Sequence, residues 1–131
     1  AIFVAAVSDW CIDHVSEHKI KKNSNGPPVL KFNENPDILR DVGNLKDDRP
    51  SLVIGFAAET EDLYKNARTK FKKKGCDWII ANDVSATTGY MGEDENKICL
   101  ISAKQTEDWP LMSKKSVAKK LAAKICTALE V

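Results

Sequence analysis

Residues 51–83 read SLVIGFAAETEDLYKNARTKFKKKGCDWIIAND, and this stretch decides the fold. Residues 52–57 and 77–81 are predominantly apolar, which is typical of parallel strands covered on both faces. Between them, apolar side chains recur at the four-residue spacing of one helix face, at Leu63, Ala67 and Phe71. The stretch therefore predicts a strand–helix–strand unit of a parallel sheet.

The ends of this helix carry start and stop signals. Thr60 is predicted to cap the helix, and Gly75 is predicted to end it. In open parallel sheets, ligands bind beyond the carboxyl ends of the strands. That rule selects residues 8–9, 57–60 and 82–85, which are small or polar and suit the floor of a pocket.

Further elements are predicted before this unit. Residues 2–7 predict a buried parallel strand, 8–28 a long loop and 29–32 a short strand. Asn35 is predicted to cap a short helix that ends at Gly43. The inward side chains of that helix are predicted to be Ile38, Leu39 and Val42.

After the unit, residues 97–102 predict a strand near an edge of the sheet, and Ser113 is predicted to cap a last helix. The fold class is therefore α/β, a Rossmann-like three-layer arrangement with a mostly parallel sheet. Domains rarely open on a buried strand, so we expect the amino-terminal part of the fold to be missing and residues 1–131 to form a single, partial domain. The last helix has four predicted inward residues, Val117, Leu121, Ile125 and Leu129.

Composition excludes some classes of function. The chain has 131 residues and a net charge of +1, from 20 basic and 19 acidic side chains, so its overall charge does not drive it to nucleic acid or membrane. No apolar run approaches the roughly 20 residues that span a bilayer. The four cysteines are scattered without a CxxC pair, which favours reduced thiols and a cytoplasmic location.

Residues 5–22 hold both histidines of the chain, together with Cys11. His14 and His18 are four residues apart, but no HExxH motif or cysteine pair accompanies them. A solvated histidine pair is favoured over a metal site, so no metal ligands are assigned. A nucleophilic Cys11 activated by His14 is disfavoured, because no oxyanion-hole signature accompanies it.

Two lysine-rich segments allow more than one interpretation. Residues 19–22 form either a loop that closes over a phosphate or a solvated charged segment. Residues 65–74 hold six basic side chains, of which Lys70 and Lys74 are four apart and share a helix face. Cations stabilise the carboxyl end of a helix, and nucleic-acid binding is the weaker alternative because no aromatic residues interleave the cluster.

Five segments, taken in order, resemble one family closely. The family is phosphopantothenoylcysteine synthetase (phosphopantothenate–cysteine ligase), the carboxy-terminal part of the bacterial bifunctional coenzyme A biosynthesis flavoprotein. The resemblance implies CTP-dependent ligation of 4'-phosphopantothenate with cysteine through an acyl-cytidylate, with release of pyrophosphate and CMP. The segments are AAVSDW (5–10), KIKK (19–22), NPDIL (35–39), GFAAET (55–60) and ANDVS (81–85).

The same resemblance implies roles for particular residues. Lys19, the first lysine of KIKK, corresponds to the family's catalytic lysine and lies in a loop expected to close over the site. Asn82 and Asp83 are signature residues whose role the resemblance leaves open. The residues implied to bind the nucleotide are Ala5, Ala6, Asp9, Lys19, Pro36, Asp37, Ile38, Leu39, Phe56, Lys70 and Lys74.

Cofactors and partners are also implied by the resemblance. Mg²⁺ assists the reaction, CTP is a co-substrate, and FMN belongs only to a fused upstream domain that this chain does not include. The small-molecule substrates are 4'-phosphopantothenate, cysteine and CTP, and a homodimer is expected through residues 97–102 and the segment near Trp109. The family's amino-terminal glycine-rich phosphate loop is not in this sequence, so a non-catalytic dimerisation or nucleotide-binding module stays open as the alternative.

Overall fold

The computed structural model describes residues 1–4, 7–21, 26–85 and 94–130. The chain divides into two compact units, a sheet unit of Ala1–Val4 with Ile38–Val131 and a hairpin unit of Ala5–Asp37. The elements of the described residues are β1 (Ile2–Phe3), β2 (Trp10–Ile12), β3 (Phe32–Glu34), α1 (Ile38–Gly43), β4 (Ile54–Glu59), α2 (Leu63–Lys74), β5 (Trp78–Asp83), β6 (Glu95–Asn96), β7 (Ile98–Ser102), β8 (Thr106–Asp108), β9 (Met112–Ser113) and α3 (Lys114–Leu129).

The sheet unit contains a five-stranded mixed sheet in the order β1-β4-β5-β7-β8. The first three strands are parallel, and β7 and β8 are antiparallel to their neighbours. The strand–helix–strand prediction is confirmed, since β4, α2 and β5 form a parallel crossover. Strands β6 and β9 form a separate two-stranded pair.

Helices cover both faces of this sheet, which confirms the three-layer α/β prediction. On one face, α3 packs Val117 and Leu121 against Ile54, Ile80 and the other members of one core cluster. The opposite face holds a second cluster, against which α1 and α2 pack. The members contributed by these two helices are Leu39, Val42, Leu63, Ala67 and Phe71.

Among the predicted ends of α2 and α3, two are confirmed and one is wrong. Gly75 ends α2 in the left-handed region at φ 63°, and the Ser113 side chain caps α3 by accepting a hydrogen bond from the Ser116 N–H. The Thr60 cap is wrong, because α2 begins at Leu63 and its cap position is Asp62. Asp62 has φ 46° and makes no side-chain cap hydrogen bond, so the chain turns into the helix through a left-handed residue instead.

Arg49 ties the amino ends of β4 and β5 to the ends of the two helices before them. Its guanidinium donates to the carbonyl oxygens of Gly43 and Gly75 at 2.9 and 3.0 Å, and it lies 3.0 Å from Oδ2 of Asp77. The same Asp77 oxygen accepts the Val53 N–H at 2.7 Å. Arginine suits this position because its planar fork presents five donors in fixed directions.

Several predicted elements differ in position or burial. Of the described residues of the 2–7 run, which are 2–4 and 7, Ile2 and Phe3 pair with β4, and Ile2 and Val4 are exposed because β1 is an edge strand of the sheet. By contrast, β7 lies next to the edge strand β8, which confirms the prediction of a strand near an edge of the sheet. Ile38 is exposed at the start of α1 rather than inward, and Leu129 is exposed near the end of α3.

The long loop predicted for residues 8–28 contains one strand, β2, and its other described residues form no helix or strand. Strands β2 and β3 pair antiparallel, with Trp10 opposite Glu34 and Ile12 opposite Phe32. The short strand predicted at 29–32 therefore lies further along, at Phe32–Glu34. The pairing joins residues twenty or more positions apart, so no local sequence pattern in either strand predicts it.

Within the described ranges, no helix is both long enough and apolar enough to cross a membrane. All four cysteines are unpaired, as predicted. Cys76 and Cys99 are buried, whereas Cys11 and Cys126 are exposed.

Candidate functional site

The carboxyl edge of the parallel strands collects polar side chains, as the sequence predicts. In the register of β4 and β5, Ala58 lies opposite Asn82 and Glu59 lies opposite Asp83. The two strands therefore end at the same level and present neighbouring polar groups. The Val84 N–H continues the pairing by donating to the Glu59 carbonyl oxygen at 2.8 Å.

Glu59 is the buried acid of this edge, with 8% of its surface exposed. Its Oε1 lies 2.8 Å from Nζ of Lys70, which extends from α2 and is partly exposed. A carboxylate at this depth requires a cationic partner, because an unpaired buried charge is very costly. An ammonium carries three N–H donors, so the pairing with Glu59 fixes Lys70 while leaving it able to donate to a second anion.

Lys74 is the last residue of α2 and lies one helical turn, about 6 Å, beyond Lys70. Its carbonyl oxygen accepts a hydrogen bond from the Asn44 side chain at 3.3 Å. The two lysines therefore follow one another along α2 from the Glu59 ion pair to the helix end. Their assignment to a triphosphate stays a prediction.

Asp83 shapes the exit from β5. Its Oδ1 accepts the Ser85 N–H at 2.8 Å. Hydrogen bonds from Ser85 lower the pKa of Asp83 below its usual value, so the carboxylate is ionised at neutral pH. The local turn therefore explains Asp83 structurally, and a ligand role for Asn82 and Asp83 stays a prediction.

Two further predicted contacts of the sheet unit lie away from this edge. Phe56 is partly buried and packs against the core cluster under α3. Leu39 packs on the opposite face, with its Cδ2 against the Cα position of Gly55, where a Cβ would clash with it. A side chain at position 55 would therefore require the Leu39 side chain to shift.

The hairpin unit holds Asp9, Lys19, Pro36 and Asp37. Asp9, Lys19 and Pro36 are exposed, and Asp37 is partly buried. Ala5 and Ala6 lie outside the described residues.

Asn35 is the residue of this region that sequence reasoning assigned wrongly. It does not cap α1, which begins three residues later, at Ile38. Its side-chain amide instead donates to the Ser8 carbonyl oxygen at 2.8 Å, and its N–H donates to the Asp9 carbonyl oxygen at 2.9 Å. Pro36 could not have revealed the error, because a helix cap has the same extended backbone that a following proline favours.

The histidine cluster behaves as an ordinary polar surface. Nε2 of His14 lies 3.7 Å from Oδ2 of Asp13, and His18 donates its N–H to Oγ of Ser16. In the part of the chain that the structure describes, no group of three or more histidine, cysteine, aspartate or glutamate side chains could hold a metal ion.

Comparison with known proteins places these features in a family. The model of the DNA/pantothenate metabolism flavoprotein C-terminal domain matches residues 1–129. The chain belongs to this family. The match extends over both the sheet unit and the hairpin unit, so both are parts of a DNA/pantothenate metabolism flavoprotein C-terminal domain.

Two similar curated proteins carry the same name. Coenzyme A biosynthesis bifunctional protein CoaBC of Borreliella burgdorferi is 38% identical over 121 residues, which cover 92% of this chain and 30% of the relative. The protein of the same name from Haemophilus influenzae is 40% identical with the same coverage. The chain therefore spans about 30% of the length of the curated relatives it matches.

Solved structures agree with this family. The crystal structure of the C-terminal domain of coenzyme A biosynthesis bifunctional protein CoaBC has a TM-score of 0.70 and 29% identity, covering 98% of this chain and 56% of that one. The DNA/pantothenate metabolism flavoprotein from Streptococcus pneumoniae has a TM-score of 0.65 and 25% identity, covering 94% and 57%. The predicted fold class is thereby confirmed.

Proposed function

We propose that this chain serves coenzyme A biosynthesis as part of a phosphopantothenate–cysteine ligase that uses CTP. The observation that carries the proposal is the family match over residues 1–129, together with relatives named for coenzyme A biosynthesis. The polar carboxyl edge of β4 and β5 supports it, because this is where open parallel sheets bind ligands.

The proposed reaction has two steps. A carboxylate oxygen of 4'-phosphopantothenate attacks the α-phosphorus of CTP, so an acyl–phosphate bond forms and pyrophosphate leaves. The amine of cysteine then attacks the acyl carbon, the amide bond forms, CMP leaves with the bonding electron pair, and the amine loses a proton. Negative charge develops on phosphate oxygens in both steps, so nearby cations lower both barriers.

Lysine side chains are suited to that task. Lys19 is exposed on the segment between β2 and β3, where it can reach a bound anion. Lys70 is already held at the sheet edge by Glu59. In the proposal, Lys19 stabilises the charge that develops at the α-phosphate, and Lys70 and Lys74 bind the rest of the triphosphate.

Mg²⁺ fits the proposal as a partner of the nucleotide. Magnesium binds nucleotide phosphates through few protein carboxylates, so it does not require a cage of acidic side chains. Two carboxylates lie at the carboxyl edge of the sheet, Glu59, which is paired with Lys70, and Asp83, which accepts the Ser85 N–H. Bound Mg²⁺ would neutralise phosphate charge. FMN has no part in these steps and is expected only in a fused upstream domain.

Calorimetry and a ligation assay test the proposal together. We expect CTP to bind in the presence of Mg²⁺, and CMP, pyrophosphate and 4'-phosphopantothenoylcysteine to form in equal amounts. Binding of CTP without any product would favour the alternative, a non-catalytic nucleotide-binding module. Absence of CTP binding would contradict the proposed site.

Lys19→Gln is the sharpest test of the catalytic assignment. We expect it to leave the Kd of CTP nearly unchanged and to lower the ligation rate by roughly 10²–10³-fold, the usual cost of one group that stabilises transition-state charge. Lys21→Gln is the matched control, because it removes the same charge two residues away on the same exposed segment. Equal rates in the two variants would refute a special role for Lys19.

A homodimer and a cytoplasmic location complete the proposal. Of the two segments named for the dimer contact, strand β7 does not suit it, because β5 and β8 enclose it. Trp109 is itself 1% exposed, but Leu111 beside it is 42% exposed, so the segment near Trp109 stays the proposed contact. A molar mass that stays monomeric across a wide concentration range in light scattering would contradict it.

A further inference from the structure

Asn35 joins two segments that are far apart in sequence. Its N–H extends the β2–β3 ladder by one pair to Asp9, and its side-chain amide reaches the next carbonyl oxygen, that of Ser8. The Ser8 hydroxyl in turn donates to the Trp10 carbonyl oxygen at 2.8 Å. Residues 8–10 are therefore held in one conformation by bonds from both sides.

The chain around Asn35 makes this arrangement stiff. Pro36 follows directly, and a proline restricts the residue before it to extended backbone. Extended backbone is the conformation in which the Asn35 N–H continues the ladder to Asp9. The short side chain of Asn35 extends from this fixed backbone, and its amide donates to one acceptor, the Ser8 carbonyl oxygen.

We infer that Asn35 is a positioning residue of the proposed nucleotide site, which sets Asp9 against the segment that begins at Pro36. The inference rests on the proposed function, in which Asp9, Pro36 and Asp37 contact the nucleotide. Asn35 acts on the ligand through these neighbours. Without the side-chain amide, the backbone bond to Asp9 remains but the bond to Ser8 is lost, so the 8–9 segment is less ordered and part of the binding free energy is spent on ordering it.

If Asn35 only stabilised the fold, removing its amide would change CTP binding no more than removing the amide of another asparagine in the hairpin unit. Asn33 is the matched control. Asn33 also donates through its side-chain amide, to Oδ1 of Asp13 at 2.7 Å. Both asparagines therefore make one side-chain hydrogen bond within the same unit. Only the bond of Asn35 reaches residues 8–9.

The experiment compares Asn35→Ala with Asn33→Ala in the full chain, with CTP and Mg²⁺ as the probe. We expect Asn35→Ala to weaken CTP binding about 3- to 10-fold, the usual effect of one lost hydrogen bond, and Asn33→Ala to change it less than about 2-fold. Thermal unfolding midpoints should fall by similar amounts in the two variants. In the ligation assay, Asn35→Ala should raise the KM for CTP and leave kcat nearly unchanged.

Asn35→Asp provides a second variant of nearly the same size if the alanine variant does not fold. It lacks the donor and should weaken CTP binding at 0.5 M salt as well, where the added charge is largely screened (Debye length below about 8 Å). Equal CTP affinities in the Asn35 and Asn33 variants would overturn the inference. A wild-type chain that binds no CTP would overturn the proposed function and, with it, this inference, and that failure is visible before any variant is made.

Discussion

The hairpin unit and the sheet unit are stabilised by different forces. In the sheet unit, Ile80 and Trp109 are 0% and 1% exposed, within cores that lie on both faces of the strands. In the hairpin unit, Trp10 is 56% exposed and Phe32 is 55% exposed. None of the residues described there, 7–21 and 26–37, is buried. The hairpin unit is therefore held by its backbone ladder and by side-chain hydrogen bonds such as those of Asn35.

This difference separates scaffold from candidate ligand contacts. Binding residues are commonly placed on segments of low local stability that a rigid scaffold supports. Lys19 and Asp9 belong to the hairpin unit, whereas Glu59 and Lys70 are fixed by the sheet unit. Substitutions in the sheet unit should therefore mainly change the free energy of unfolding. Substitutions in the hairpin unit should mainly change ligand affinity.

The largest expected effect is on the core of the sheet unit. Ile80→Ala removes a fully buried side chain between the sheet and α3, and we expect it to lower the free energy of unfolding by about 2–5 kcal/mol. Ile12→Ala makes the same chemical change in the hairpin unit, where Ile12 is 41% exposed. We expect that variant to cost under about 1 kcal/mol.

Urea unfolding followed by tryptophan fluorescence measures both values. If Ile80→Ala and Ile12→Ala lowered the free energy of unfolding equally, the Ile12 side chain would be buried in solution. That result would contradict the difference between the two units.

A smaller effect is expected from Glu107 and depends on pH. The ion pair with Lys124, 2.7 Å from Glu107 Oε2, and the hydrogen bond from the Trp109 ring lower the pKa of Glu107 below its usual value. A carboxyl group whose pKa is lowered by folding adds stability at pH values above the ordinary glutamate pKa, about 4.3. That added stability is lost as the pH falls through the lower pKa of the folded protein. Glu107→Gln should therefore be less stable at neutral pH and lose less stability on acidification.

The measurement is thermal unfolding of wild type, Glu107→Gln and Glu61→Gln between neutral pH and pH 3. Glu61 is exposed before α2, so its substitution removes the same charge from the surface. Parallel pH profiles for all three proteins would contradict a role for Glu107 in acid stability.

The smallest effect is a chemical one that leaves stability unchanged. Burial raises the pKa of Cys76 and of Cys99 to about 11, so their thiolate fraction at neutral pH is very small. We expect an alkylating reagent to add rapidly to Cys11 and Cys126 alone, which intact mass would show as two adducts. Rapid labelling of all four thiols in native buffer would mean that the sheet unit opens readily.

Much of the sheet unit could be predicted from local sequence. The β4–α2–β5 unit follows from its apolar runs and from Gly75, and α3 begins at the Ser113 cap as expected. These features depend on residues close together in the chain. The left-handed Asp62 could not be predicted, because an aspartate rarely adopts that conformation and Thr60 offered a more usual cap.

Other features depend on distant pairing. Strand β8 reads Thr-Glu-Asp, which lacks apolar alternation, and only its pairing with β7 makes it a strand. The β2–β3 ladder and the Asn35 bonds likewise join residues far apart in sequence. Among the candidate site residues, the sequence predicted that Glu59 lies at the carboxyl edge of the sheet. It did not predict the ion pair between Glu59 and Lys70, which depends on how α2 packs.

The cluster around Arg49 also has a consequence for the order in which the chain folds. Its acceptors at Gly43, Gly75 and Asp77 lie within 28 residues of it in sequence. Contacts between residues this close have a modest loop-closure cost, so they form readily in a folding nucleus. We therefore expect the β4–α2–β5 segment to reach its native structure first and β1, at the far end of the chain from α3, to be added to it afterwards.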